Sequence, residues 1–315
     1  MQIYGVLEKD GELWKKGLRF ESTAVALGGF DAIHLGHRAI IQKVVGYAKD
    51  HGLQSLVYLF RNQPRTVLTG EPGVYVNTLE QRLGILEELG VDAAVVEWFT
   101  PEYQSITPED FVKVYLRERL GAVYAAAGFN YRFGLRGRGD IETLKHLGVR
   151  EGILVESMPC VEWGGSPISS TRIRGLIQEG RMESAAACLG RQFAVKGRVV
   201  KGNQLGRTIG FPTANLDLPT EQIVPKYGVY VTQTLAEGRW YPSITNVGDK
   251  PTVTRHYPCI ETHLLDYEGD LYFRETEIRF FEYLRGISKF SGLDALKIQL
   301  EQDKRAARRY FGKKK

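Results

Sequence analysis

From Thr23 to about Gly190, short apolar runs alternate with segments of helical spacing, and few folds accommodate that alternation. Thr23 to Leu27, Ser55 to Phe60, Ala93 to Glu97, Val123 to Ala127 and Ile153 to Ser157 read as strands. Arg38 to His51, Thr78 to Leu89, Pro108 to Leu120 and Ile141 to Gly148 read as helices between them. Strands that need a helical crossover build an open, mostly parallel sheet with helices on both faces, the α/β Rossmann-like arrangement. Helix punctuation agrees: Thr107-Pro108-Glu109-Asp110 offers an N-cap, a proline and two acids, while Gly90 and Gly148 stand where C-terminal caps belong. A helix from about Thr171 to Leu189 closes this part of the chain.

After Gly190 the pattern changes. Phe193 to Val200, Val229 to Leu235, Arg239 to Ile244, Glu261 to Leu265 and Glu277 to Leu284 are β-rich and broken by Gly, Pro and Asn, which suggests a small antiparallel sheet or β-barrel. Leu293, Leu296 and Leu300 then mark an amphipathic helix running to Phe311. With 315 residues the chain is long enough for two domains, expected at 1–186 and 187–315.

Charge and cysteine content exclude several classes. The net charge of +5 is less than the charge of the seven basic residues after Gln302-Asp303, so the rest of the chain is slightly acidic. That argues against nucleic acid as a partner and for the basic end as a solvated helix terminus. Cys160, Cys188 and Cys259 form no CxxC pair, which argues against zinc and for small buried or half-buried thiols in a reducing compartment. Runs such as Val91 to Val96 are far shorter than a membrane span, and Met1-Gln2-Ile3-Tyr4-Gly5 has no leader pattern, so a cytoplasmic protein is expected. Oligomeric state is left open.

Gly28-Gly29-Phe30-Asp31-Ala32-Ile33-His34-Leu35-Gly36-His37 follows the first long strand and opens the first long helix. In an α/β sheet that turn borders the ligand crevice, glycines let the backbone approach a phosphate, and the helix N-terminus attracts anions. His34 and His37, three apart, could donate hydrogen bonds to phosphoryl oxygens as charge builds. Ile168-Ser169-Ser170-Thr171-Arg172-Ile173-Arg174 combines helix-capping hydroxyls with two guanidinium forks, a set suited to phosphates.

In the second part, Gly202-Asn203-Gln204-Leu205-Gly206-Arg207-Thr208-Ile209-Gly210-Phe211-Pro212-Thr213-Ala214-Asn215 shares glycines with a P-loop. Its spacing is one residue short, Arg stands for Lys, and β-like sequence follows where a P-loop needs a helix. Gly202, Gly206 and Gly210 with Arg207 suit a loop covering phosphates. Thr213 and Asn215, two apart in an extended chain, would offer hard oxygens to Mg²⁺ from one side.

The first motif resembles the GxFDGxHxGH signature of the nucleotidylyltransferase superfamily, and more narrowly the adenylyltransferase module of prokaryotic bifunctional riboflavin kinase/FAD synthetases. Ser169 to Arg174 resembles that family's SSTRIR segment, and Gly128-Phe129-Asn130-Tyr131-Arg132-Phe133-Gly134 its GxDFRFG loop. The later run matches GRxxGFPTAN without a mismatch; Tyr227 to Tyr230 and Asn246 to Gly248 also fall into the family pattern, and Glu261-Thr262-His263-Leu264-Leu265-Asp266 resembles its ExHLLD strand. The resemblance implies a nucleotidylyltransferase domain followed by a six-stranded antiparallel riboflavin kinase barrel. It implies conversion of riboflavin and ATP to FMN, then of FMN and ATP to FAD and pyrophosphate, both with Mg²⁺. Glu261 would take the proton from the ribityl 5′-hydroxyl, and Asn130 would join the nucleotide side of the first site.

Departures stand at Gly29, Ala32 and Asn130, and the usual Phe-x-Pro-His-Pro stretch reads Phe60-Arg61-Asn62-Gln63-Pro64. They keep open a monofunctional riboflavin kinase whose first module is weak or inactive. A flavin- or RNA-binding regulator using the basic end with Tyr310 and Phe311 is the alternative from another class.

Overall fold

The computed structural model describes residues 1–5, 17–70, 73–202, 206, 209–251 and 256–312. Their contacts divide the chain into two units, Met1–Ser169 and Ser170–Lys315.

In the first unit, strands β1 (Gln2–Tyr4), β2 (Thr23–Leu27), β3 (Gln54–Phe60), β4 (Ala93–Glu97), β5 (Ala122–Gly128) and β6 (Leu154–Met158) form one sheet in the order β1-β4-β3-β2-β5-β6. All five pairings are parallel. Side-chain alternation sorts each strand between two cores. Val25 and Leu27 join Leu56, Val95, Phe111 and Leu144 on one face. Ala24 and Ala26 join Ile41, Val44, Val57 and Leu86 on the other. Strand order reverses at β2, whose neighbours are β3 on one side and β5 on the other. The carboxyl ends of β2 and β5 therefore flank the crevice where open α/β sheets bind ligands. A two-strand hairpin, β7 (Glu162–Trp163) with β8 (Ser166–Pro167), ends the unit.

Two expected helices differ in detail. The helix opening at Pro108 widens over Phe111–Arg119, where Leu120 N–H reaches back five residues to the Tyr115 carbonyl at 3.0 Å. Nine residues of apolar pattern do not separate that wider turn from an ordinary one. The single helix expected from Thr171 to Leu189 is two, Ser170–Gln178 and Met182–Leu189. Gly180, at φ +79°, ends the first in the left-handed conformation, and a Cβ there would press on Tyr283.

In the second unit, β9 (Phe193–Val200), β10 (Ala214–Asp217), β11 (Gly228–Ala236), β12 (Arg239–Pro251), β13 (His256–Leu264) and β14 (Glu275–Arg285) close a barrel in the order β10-β13-β12-β11-β14-β9. Every pairing is antiparallel. The buried hydroxyls of Thr232, Ser243, Thr234, Thr262 and Thr245 form a closed hydrogen-bonded ring with links of 2.7–3.0 Å. Each hydroxyl can donate one bond and accept another in such a ring, so none is left unsatisfied.

The helix Leu293–Gly312 packs Ala307 against Val229, Val231, Ile244 and Leu265, with Tyr310 and Phe311 in ring contact with Phe281. Among its basic residues, Arg308 pairs with Asp266 at 2.6 Å and Lys304 with Glu301 at 3.8 Å. Asp303, 3% exposed, receives both Nε and Nη2 of Arg285, the latter at 2.7 Å, and the Gln299 amide. Removing one partner of a buried pair leaves the other charge uncompensated. Asp303→Ala is expected to cost roughly 3 kcal/mol, measured as a lower urea midpoint, with Asp303→Asn intermediate. An unchanged midpoint would show that Asp303 does not anchor this helix.

Among the described residues no helix is long and apolar enough to cross a membrane. Cys188 is buried, Cys160 and Cys259 are half-buried, and all three thiols are free.

Candidate active sites

The turn after β2 is built under strain. Phe30 and Ile33 adopt left-handed backbone at φ 45° and 41°, although both are fully buried. Such conformations persist where the surroundings fix them and cluster at functional sites. Gly28 lies beneath the Phe30 ring, which a Cβ would touch at 3.0 Å, whereas a Cβ on Gly29 would meet nothing within 4 Å. Asp31 is 7% exposed and accepts the Val76 N–H at 2.9 Å. It ties the turn to the segment leading into the helix Leu79–Glu88.

His34 caps the helix Leu35–His51, its Nδ1 accepting the His37 N–H at 3.3 Å. An accepting Nδ1 places the ring proton on Nε2, making that nitrogen a donor. The two imidazoles stack 3.8 Å apart, and Phe30 meets His37 edge-on at 5.1 Å. Gly36 leaves room for the stack, since its Cβ would approach the His34 ring at 3.2 Å. The motif thus presents two parallel imidazoles at a helix N-terminus on the reversal point of the sheet. From β5 the loop brings Asn130, exposed beyond the Tyr131 N–H to Gly128 carbonyl turn.

Of the hydroxyl and arginine segment, Ser169 closes the first unit, while Ser170, Thr171, Arg172 and Arg174 begin the first helix of the second. Thr171 is exposed; the others are half-buried.

The ends of β3 and β4 carry an aromatic group of which the sequence singles out only Phe60, in the stretch that stands for the family's Phe-x-Pro-His-Pro and so, by the resemblance, on the flavin side. Phe60, Phe99 and Tyr103 pack with centroids 5.1–5.6 Å apart, and Tyr58 O–H donates to the Tyr103 hydroxyl at 3.1 Å. Burial, with Tyr103 and Glu97 nearby, pushes the Tyr58 phenol well above its ordinary pKa, so it remains a donor. Arg82, almost fully buried, donates to the carbonyls of Phe60 and Arg61.

On the barrel, Asn215 on β10 pairs in register with Glu261 on β13, and Glu261 pairs with Asn246 on β12. Directly opposed residues share a face, so three polar side chains line up across neighbouring strands. Cys259, two residues before Glu261, reaches Glu261 Oε1 at 3.6 Å and Asn215 Oδ1 at 3.7 Å. Asn215 is 5% exposed because Gly202 lies against it; a Cβ there would overlap the amide.

The glycine run folds back on itself, Gly206 carbonyl accepting N–H groups of Ile209 and Phe211, and Gly210 turns at φ +80°. His263 Nδ1 lies 2.8 Å from the Pro212 carbonyl; burial lowers its pKa, and the neutral ring donates from Nδ1, pinning this run to β13. Thr213 is half-buried at the edge of a pocket lined also by Val199, Pro212, Tyr267, Leu271 and Tyr272. Arg207 lies outside the described residues. No cluster of three His, Cys, Asp or Glu suited to a metal occurs among the described residues. Asn215 and Thr213 carry hard oxygens of the kind that could hold Mg²⁺.

Comparison with known proteins follows this division. Residues 18–172 match the FAD synthetase family model and residues 189–311 the riboflavin kinase model. The bifunctional riboflavin kinase/FMN adenylyltransferase of Escherichia coli K12 is 35% identical over 294 residues, covering 93% of this chain and 94% of that protein. The protein of the same description from Bacillus subtilis is 35% identical over 296 residues, covering 92% of each. A solved structure described as a macrolide-efflux protein from Streptococcus pneumoniae superposes with a TM-score of 0.86 at 30% identity, covering 93% of this chain and 96% of that one.

Proposed function

The chain belongs to the bifunctional riboflavin kinase/FMN adenylyltransferase family, and from that premise we propose how its residues divide the two reactions. The enzyme phosphorylates riboflavin with ATP to give FMN, then joins FMN to a second ATP to give FAD and pyrophosphate.

In the barrel, Glu261 takes the proton from the ribityl 5′-hydroxyl as that oxygen attacks the γ-phosphorus of ATP, whose bond to the β,γ-bridging oxygen breaks to release ADP. Asn215 and Thr213 would hold Mg²⁺, which when bound neutralises phosphate charge. The glycine run from Gly202 through Gly206 to Gly210, with Arg207, covers the phosphates. The pocket beside Thr213, walled by Tyr267 and Tyr272, takes the adenine. The observation that carries this reading is the register of Asn215 on Glu261, which sets an amide beside a carboxylate with Gly202 against the amide.

In the sheet unit, His34 Nε2–H and His37 donate to phosphoryl oxygens while the FMN phosphate attacks the α-phosphorus of ATP in line. Gly28, Gly29 and Gly36 admit the nucleotide, with Asn130 facing it from β5. Phe30 and Asp31 shape the turn. By resemblance to the family's SSTRIR segment, Ser169, Ser170, Thr171, Arg172 and Arg174 are proposed to bind the departing pyrophosphate. The aromatic group at the ends of β3 and β4 takes the isoalloxazine, whose flat ring suits Phe60, Phe99 and Tyr103. The enzyme works in the cytoplasm, where its substrates and a reducing environment for three free thiols coexist.

The full chain incubated with riboflavin, ATP and Mg²⁺, with flavins separated over time, is expected to accumulate FMN and then FAD. FMN without FAD would remove the adenylyltransferase half of the reading, and neither product would remove both.

A further inference from the structure

Where β3 leaves the sheet, the Arg61 N–H still pairs with the Glu97 carbonyl at 2.8 Å, but the main chain then turns away toward Pro64. The next link is made by a side chain. Asn62 Nδ2 donates to the Phe99 carbonyl at 2.8 Å, and the Phe99 N–H donates to Asn62 Oδ1 at 2.9 Å. A carboxamide has the donor and acceptor of a peptide group, so Asn62 extends the pairing by one rung after the strand has ended. Phe60 and Phe99 flank that rung, edge to face at 5.3 Å. The residues around it are held independently: Gln63 Nε2 donates to the Val74 carbonyl at 2.9 Å, and Tyr75 O–H to the Arg61 carbonyl at 3.2 Å.

We propose that Asn62 is a positioning residue for adenylyl transfer, its amide locking the Phe99 main chain so that Phe60 and Phe99 stand as a fixed wall for the flavin ring. The proposal rests on the reading that this aromatic end receives FMN. Phe99 lies after the last residue of β4 and before the short helix Pro101–Gln104. Without the amide rung its main chain has no pairing partner from β3, and the wall must be ordered anew each time a flavin binds. Asn62 is remote from the imidazoles in the chain and is not assigned to chemistry, so its loss bears on flavin affinity and spares the chemical step.

The test is steady-state kinetics of FAD formation on the full-length Asn62→Ala and Asn62→Asp variants, with riboflavin phosphorylation by the same preparations as the folding control. Asn62→Ala removes both bonds; Asn62→Asp keeps the acceptor for the Phe99 N–H but sets an oxygen against the Phe99 carbonyl. For both, KM for FMN is expected to rise about tenfold, as for loss of one to two ordinary hydrogen bonds, with KM for ATP and kcat within about twofold of the parent. FMN binding by calorimetry should weaken by the same factor. An unchanged KM for FMN in both variants overturns the proposal. So does a parallel loss in kcat and in KM for ATP, which would mark Asn62 as a general support of the unit. A parent protein that does not adenylylate FMN overturns the functional reading and this proposal together, whereas an active parent with indifferent variants overturns the proposal alone.

Discussion

Glu261→Gln is expected to slow FMN formation by at least about 10²-fold, the usual contribution of a positioned general base, while FAD formation from supplied FMN continues at the parental rate. The substitution is close to isosteric. Gln keeps an oxygen for the Cys259 thiol, which lies 3.6 Å from Glu261 Oε1, and keeps the register with Asn215 and Asn246. What disappears is the ability to accept a proton from the attacking hydroxyl, so the loss should fall on kcat, with riboflavin and ATP still bound. The measurement is initial rates of FMN formation at saturating riboflavin and ATP, with adenylyl transfer assayed separately. Riboflavin phosphorylated by Glu261→Gln at the parental rate would remove the carboxylate from the mechanism.

The distribution of legible and hidden features follows from how far apart the interacting residues lie. The parallel sheet could be read locally because each strand is apolar on both faces and each crossover needs its own helix. Val25 and Leu27 enter one core, and Ala24 and Ala26 the other. The second unit reads from its residues alone only as a sheet or barrel. Closure depends on β9 pairing with both β10 and β14, a long-range fact that no strand announces. Resemblance to a known family implies the barrel and its strand number without knowledge of the pairings.

Sites divide in the same way. His34 and His37 sit on one helical turn, so spacing alone brings their rings together. Asn215 and Glu261 meet only through the register of β10 on β13, and their motifs could be found without that contact being visible. Asp31 shows what a motif does not reveal: its carboxylate accepts the N–H of Val76, 45 residues on in the chain. In the sequence Asn62 stands out as a departure from the family's Phe-x-Pro-His-Pro stretch, not as a strand-end partner of Phe99. Its function as a rung depends on where two strands end, which periodicity cannot locate to one residue. The break at Gly180 had a local signal, the sequence Glu179-Gly180-Arg181, but apolar spacing that continues on both sides masks a left-handed cap.

The His34→Ala, His37→Ala double variant is expected to lose FAD formation by at least about 10²–10³-fold, the usual cost of one preorganised donor at a charge-building oxygen, while FMN still accumulates from riboflavin. The imidazoles stack at 3.8 Å at the start of the helix, close enough for both to act on one phosphate group in the proposed reaction. His34 also caps that helix, and its removal costs helix stability, typically about 1 kcal/mol. A His34→Asn variant separates the two effects, because Asn is a good cap but lacks the imidazole Nε2–H. If charge stabilisation is the role, His34→Asn with His37 intact loses much of the rate while retaining the parental melting temperature. The paired observation is a time course of FMN and FAD for parent, double variant and His34→Asn, from riboflavin and from FMN. The imidazoles lie in Met1–Ser169 and the Asn215–Glu261 pair in Ser170–Lys315, so the phosphorylation step should be spared. FMN formation that collapses with the histidines, or FAD formation that survives without them, would mean that the two reactions are not divided between these residues.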